Sequence, residues 1–363
     1  MSAEDAGGNL SREDDADGLG GFDALGGGAA RPFAPEQMVA CGECLRANAP
    51  TRAACLYCGA ALPRTKQSAA LWRPRLKKLE EWEQGFNVVT LPRAAGALTS
   101  DAAEEAASLL RLDVGGLKEI VLAGRAMPLA RAPSADEAWI IVERLRELGL
   151  STEVFPDEVL ARRPARARAF EFEGEALVCR TGPESEPRRV PWSEVVLLVT
   201  GRVVSRRVEV SERKRGLAGR SETVGTRELA SDEAVLDLYT SSVDEHEAQG
   251  TGGAGFRVMS GGFDYSCLGE GKGLVAAENF NALVAALRGR APSAAHDEEY
   301  ARLRPLLSDV WPSAERTESL GLRRERAGRF NTEAVTTVSN ETQFTRYARL
   351  RHLLVLRARA EKR

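Results

Sequence analysis

Two short cysteine pairs, Cys41-Gly-Glu-Cys44 and Cys55-Leu-Tyr-Cys58, are the residues whose type and spacing most directly specify chemistry in this chain. Each pair on a tight turn brings two thiolates to one side. Two such turns supply four soft ligands in a tetrahedron and leave no position for substrate. The metal that suits this set is Zn2+, and the site is structural. The same spacing also suits a disulfide pair or a redox CxxC motif; the doubled pair, with ten residues between its halves, favours zinc. Zinc binding by finger-sized peptides releases about 10–16 kcal/mol that serves as folding free energy. A segment this short cannot draw that from an apolar core. Gly59, directly after the second pair, suits the turn.

The elements around the cysteines differ in composition. Residues 1–35 combine Glu4, Asp5, Glu13, Asp14, Asp15 and Asp17 with glycine clusters and lack apolar periodicity, the pattern of a disordered acidic arm. A zinc ribbon is expected over residues 36–62. Residues 63–85 form a basic linker leading into a short helix, with Trp72 and Trp82 among the charges. Its Arg73, Arg75, Lys77 and Lys78 are candidate nucleic-acid-binding residues, because cations with aromatics beside a zinc ribbon suit RNA or DNA. The competing reading is a solvated linker whose tryptophans dock on the neighbouring domain.

Residues 86–160 read as a small α+β domain. Phe86-Asn87-Val88-Val89 is an apolar strand, and Thr99 or Ser100 with Asp101 and Glu104 opens a helix. A second short helix follows Gly115-Gly116. Met127 to Arg131 is the middle strand. Ser134 with Glu137 makes a capping box, Ala138, Ile141, Leu145 and Leu148 recur at helical spacing, and Gly149 sits at a C′ position. Thr152 to Phe155 closes a βααβαβ order. That order, with Gly116-Leu117-Lys118-Glu119, Ser134 to Ala138 and Leu148-Gly149, resembles the C-terminal domain of the bacterial ribosomal stalk protein, whose fold the Clp-protease adaptor shares. The resemblance implies that fold. It does not imply translation-factor binding, because only Lys118 remains of the stalk domain's lysine-rich face.

Residues 168–292 switch to strand patterning. Phe170 and Phe172 alternate with Glu171 and Glu173, Ala176 to Arg180 returns, and Val190 to Val199 is a third candidate. Further strands are expected at Val203 to Val210, Val235 to Thr240, Phe256 to Ser260 and Phe263 to Leu268. An amphipathic helix then carries Ala277, Phe280, Leu283, Val284 and Leu287 on one stripe. Seven strands, a terminal helix and the run Val190-Pro191-Trp192-Ser193-Glu194-Val195 resemble a bacterial pleckstrin-homology-like domain, which implies a β-barrel with a capping helix. Arg206, Arg207, Arg213, Lys214 and Arg215 then fall on a hairpin and its tip, a candidate site for anionic headgroups or acidic peptides. A solvated loop interspersed with glutamates is the competing reading.

Residues 293–363 read as a helical tail: Asp297 to Leu307, a break near Pro312, and Phe344 to Arg359 with Phe344, Tyr347, Leu350 and Leu354 on one face among arginines. That face either docks within the chain or lies on a membrane or nucleic acid. Phe263 to Gly269, Asn340 and Gln343 to Tyr347 also resemble a group of bacterial zinc-ribbon proteins, a resemblance that implies no activity.

Catalytic signals are weak. His246, His296 and His352 are not spaced as a ligand pair, and Gly269-Glu270-Gly271-Lys272-Gly273 departs from a phosphate loop, with Ser266 at the leading glycine position and Gly273 where a hydroxyl should follow the lysine. A strand-to-helix turn explains it better. Gly252, Gly253 and Gly255 suit a mobile loop. Cys179 and Cys267 read as buried reduced thiols. A net charge of -3 implies no general attraction to polyanions, no apolar run reaches bilayer length, and no secretory pattern opens the chain, so the expected location is the cytoplasm. The sequence thus reads as a multi-domain α+β scaffold or adaptor, not an enzyme, that binds zinc and a protein partner. The alternative is a nucleic-acid-associated factor; a membrane surface is the least favoured partner.

Overall fold

Side-chain caps, prolines and glycines set several of the element boundaries in this chain. The computed structural model describes residues 33–362 other than 51, 53, 61, 64–75, 77–78, 81–82, 93–97, 216–219, 242–254 and 327–328. The chain divides into two units, Met1–Arg73 and Pro74–Arg363. Almost all of the expected acidic arm lies outside the described residues, as do Arg73, Arg75, Lys77 and Lys78.

In the first unit a 3-10 turn at Pro35–Gln37 leads into an antiparallel pair, β1 (Val39–Ala40) and β2 (Ala47–Asn48). Its small core is Val39, Cys41, Cys55 and Leu62.

The second unit begins with β3 (Phe86–Thr90), α1 (Ser100–Leu110), α2 (Val114–Leu122), β4 (Met127–Ala132), α3 (Ala135–Glu147) and β5 (Thr152–Pro156), the element order that the sequence punctuation predicts. The sheet order is β4-β3-β5, all antiparallel. Thr99 and Asp113 cap α1 and α2 by accepting from Ala102 N and Gly116 N. At Ser134 half of the expected capping box forms: its hydroxyl accepts from Glu137 N at 3.2 Å, while Glu137 Oε2 is buried without a hydrogen bond. Helix α3 ends in a Schellman arrangement, with Leu150 N donating to Leu145 O and Gly149 N to Arg146 O.

A short α4 (Asp157–Leu160) and β6 (Ala165–Arg166) lead to a three-stranded antiparallel sheet of β7 (Ala169–Phe172), β8 (Ala176–Arg180) and β9 (Arg188–Pro191). Two strands of 21 residues each follow, β10 (Val195–Arg215) and β11 (Arg220–Thr240), then β12 (Gly255–Met259). They are longer than the alternation around Val203–Val210 and Val235–Thr240 suggests. Arg/Glu-rich segments continue the ladder because neighbouring strands supply the cross-strand partners. The three-stranded sheet and the near half of the long sheet form a curled half-barrel. Its core packs Phe170, Leu177, Trp192, Leu198, Leu236 and Phe256 against Phe280, Leu283 and Leu287 of α5 (Ala276–Arg290).

The expected strand at Phe263–Leu268 does not form: Tyr265–Gly271 is a 3-10 helix. Asp264 captures Ser266 N and Oγ at 3.0 and 2.6 Å, which closes a turn where a ladder would need extended backbone. Phe263 and Tyr265 are still buried, so their alternation reported burial and not strand geometry.

The helical tail expected over 293–363 is also corrected in its middle. After β13 (Ala295–Asp297) and α6 (Tyr300–Leu307) comes a hairpin, β14 (Ala314–Arg326) and β15 (Arg329–Ser339), before α7 (Glu341–Ala360). Thr332, Val335, Thr336, Thr337 and Val338 favour pleated backbone, and β15 pairs with β10 from Ser205 to Arg213. The far half of the long sheet therefore runs β14-β15-β10-β11.

Helices α6 and α7 cover the sheet face opposite the half-barrel core. They share a second core with the βααβαβ segment: Tyr239, Val199, Tyr300, Leu303, Trp311, Phe344, Tyr347 and Leu350 join Leu117, Ile120, Leu129 and Ile141. Gly201 makes this packing feasible, since a Cβ there would lie 2.7 Å from the Phe344 ring and 2.9 Å from Tyr300. No helix among the described residues is long and apolar enough to cross a membrane.

Candidate metal centre

Each cysteine pair occupies the same backbone turn. Leu45 N donates to Cys41 O and Gly59 N to Cys55 O, both at 3.0 Å; Cys41 N donates to Arg46 O at 3.0 Å and Cys55 N to Ala60 O at 2.8 Å. Both turns pass through left-handed backbone one step after the second cysteine, at Leu45 (φ 57°) and Gly59 (φ 75°). Glycine takes that conformation without strain, whereas Leu45 does not. Asn48 ties the turns together: it is buried, its amide donates to Arg46 O at 2.8 Å and to Cys55 Sγ at 3.5 Å, and its Oδ1 accepts from Leu56 N at 2.9 Å. Neither Asn48 nor Leu45 has a sequence signature that points to the site.

The four Sγ atoms lie within 4.8 Å of one another. Cys41 and Cys58 approach to 3.6 Å and Cys44 and Cys55 to 3.5 Å. A disulfide would need about 2.05 Å. Four thiolates about 2.3 Å from a central ion sit about 3.8 Å apart, so the cluster can hold a metal ion. Electrostatics favour it. At Cys55 burial pushes the thiol up, but the N–H groups of Cys58 and Tyr57 oppose this and the net value falls to about 6. The N–H groups of Cys44 and Glu43 lower Cys41. Cys58 accepts from the Ala60 backbone, which favours its thiolate, yet the neighbouring thiols Cys41 and Cys44 push it up to about 12. Four sulfurs this close can all ionise only around a cation.

Large apolar side chains face outward around the cluster: Leu45 is 80% exposed, Leu56 63% and Tyr57 54%. The Arg46 guanidinium sits 4.7 Å above the Tyr57 ring.

The other candidate residues are more dispersed. Arg206 and Arg207 lie on opposite faces of the β10–β11 hairpin. Arg206 is bidentate to Glu228 at 2.7 and 2.9 Å and Arg207 pairs with Glu209 at 3.1 Å. Arg213, Lys214 and Arg215 end β10, and their side chains lie outside the described residues. In α7, Arg351 holds Asp297 at 2.7 Å, Arg357 pairs with Glu153 and Arg346 reaches Asp157 at 3.4 Å, so this helix docks within the chain. Cys179 is buried and Cys267 half-buried, both free thiols. His352 is fully buried against Tyr239, with one ring nitrogen 3.0 Å from Thr240 O and the other 3.0 Å from Arg349. A cavity of about 780 Å3 has Leu110, Leu129, Arg131 and Arg346 among its lining residues. Arg131 and Arg346 both bind the buried Asp157, which also accepts from Gly85 N and Asn87 Nδ2. No family model, no curated protein and no solved structure matches this chain.

Proposed function

We infer that this is a zinc-binding cytoplasmic scaffold or adaptor that mediates protein–protein interaction and has no catalytic role. The observation that carries the reading is the four-thiol cluster with Leu45, Leu56 and Tyr57 turned outward around it. Zinc suits four thiolates, and such a site is structural. Apolar and aromatic side chains held on metal-tied turns lose little conformational freedom when another protein covers them. The half-barrel with α5 against it is read as a pleckstrin-homology-like domain, and residues 86–157 as a relative of the stalk-protein fold. Both are types that present surfaces. His352 supports a non-catalytic role, since both its ring nitrogens are engaged in structural contacts.

Full-length protein purified without added metal should carry one zinc per chain, and Cys41→Ser/Cys44→Ser should abolish it. Affinity purification from the native cell, with mass spectrometry of protein and nucleic acid, should recover a defined protein that Leu45→Ser/Tyr57→Ala loses while keeping its zinc. Salt-sensitive recovery of RNA or DNA instead, lost when Arg73, Arg75, Lys77 and Lys78 become Ala, would establish the nucleic-acid-associated reading in its place.

A further inference from the structure

The far half of the long sheet is two-sided, and its two faces differ in chemistry. Residues opposite one another in an antiparallel ladder share a face. Val208 stands opposite Glu228 and Thr336, Val210 opposite Thr226 and Ala334, and Arg206 opposite Ala230 and Val338. Thr317 and Ser319 of β14 extend the same rows. This face is therefore mostly Val, Ala and Thr. The reverse face carries Arg207, Glu209, Arg227, Arg316 and Glu318 around Leu229 and the buried Val335. Charged side chains are therefore more frequent on the reverse face than on the Val208 face.

On the near half of the sheet the same face is covered, because Leu198, Leu236 and Leu238 belong to the half-barrel core. Beyond Val203, Val204, Val208, Val210, Ala334 and Val338 are half-buried and belong to neither core of the unit. Lateral pairing along the open edge is disfavoured, since β14 is interrupted by a bulge between Ser319 and Gly321, with Gly321 at φ 83°.

We propose that the Val208–Val210–Val338 face is a dimer interface on which a second copy of this chain packs face to face. Two arguments select a second copy. The central charges cancel within the face, Arg206 against Glu228 and Arg202 against Asp232 at 2.8 Å, so a two-fold axis brings no unmatched like charges together there. The area suits a weak dimer. Seven rows, Ser205 to Ser211, across four strands span about 24 Å by about 19 Å, or about 460 Å2 a copy and about 900 Å2 in all, the range of weak and transient interfaces. The proposal rests neither on the metal centre nor on the scaffold reading.

Sedimentation equilibrium of the full chain tests this. A dimer is expected at tens of micromolar protein. Val208→Lys should weaken association about tenfold or more, because it buries a charge at each of two symmetric positions. Should Val208→Lys misfold by circular dichroism, Thr336→Lys is the substitute, since Thr336 is already half-exposed and lies in the same row. Thr337→Lys, on the reverse face, should leave association unchanged. A monomeric wild type, or a dimer that tolerates a lysine at both Val208 and Thr336, would overturn the proposal.

Discussion

Leu45 and Gly59 occupy the same step of two equivalent turns, and only Gly59 is the residue that left-handed backbone favours. Placing a Cβ there costs about 1–2 kcal/mol. Gly59→Ala should therefore weaken metal retention about tenfold in a chelator competition, whereas Leu45→Gly should not. The CxxC spacing and Gly59 made the site legible in the sequence. Asn48 was not, because an asparagine between two turns carries no pattern until the fold brings it to Cys55. His352 belongs to the same scale. Burial, reinforced by the Arg349 charge, lowers its pKa from 6.5 to about 4. The unfolded chain then binds the extra proton first. Stability is fully present above pH 6.5 and falls as pH drops to about 4, by about 2–3 kcal/mol. Urea unfolding at pH 7 and pH 4.5 should show this loss, and His352→Phe should reduce it.

At the scale of elements, local punctuation was readable and long-range pairing was not. Thr99 and Ser134 announce two helices because each cap acts within three residues of itself. The third, α2, is capped by Asp113 and takes in Gly115 and Gly116, ahead of the start that the glycine pair suggests. Ser134→Ala should cost about 1 kcal/mol in thermal or denaturant unfolding. The hairpin at 314–339 was hidden because Arg316, Glu318, Arg323 and Arg324 suit a solvated helix as well as a strand. What makes them a strand is β15, and what fixes β15 is β10, more than a hundred residues earlier. The segment from Phe263 to Leu268 failed for the converse reason: an apolar alternation was present, but Asp264 offered its backbone a competing hydrogen bond.

Across the second unit, the segments that the sequence separates into βααβαβ, strand-rich and tail regions share side chains. Trp311 Nε1 donates to Asn87 Oδ1 at 2.7 Å with both residues fully buried, and Asn87 in turn donates to Asp157. Trp311→Phe strands that acceptor and should cost about 1–3 kcal/mol. Because one core spans these segments, calorimetry should show the loss as a lower midpoint of a single transition, without a separately melting βααβαβ segment.

The regular pairing of β10 with β11 from Leu197 to Ser211 imposes a parity rule on sequence change. Removing one residue from the stretch between Val203 and Arg206 inverts the side chains beyond it, sending Val208 and Val210 to the side that carries Arg207 and Glu209 while the half-barrel residues stay in place. Removing two restores the orientation. Odd and even deletions at that junction are therefore expected to differ in solubility, although they alter the chain's length by nearly the same amount.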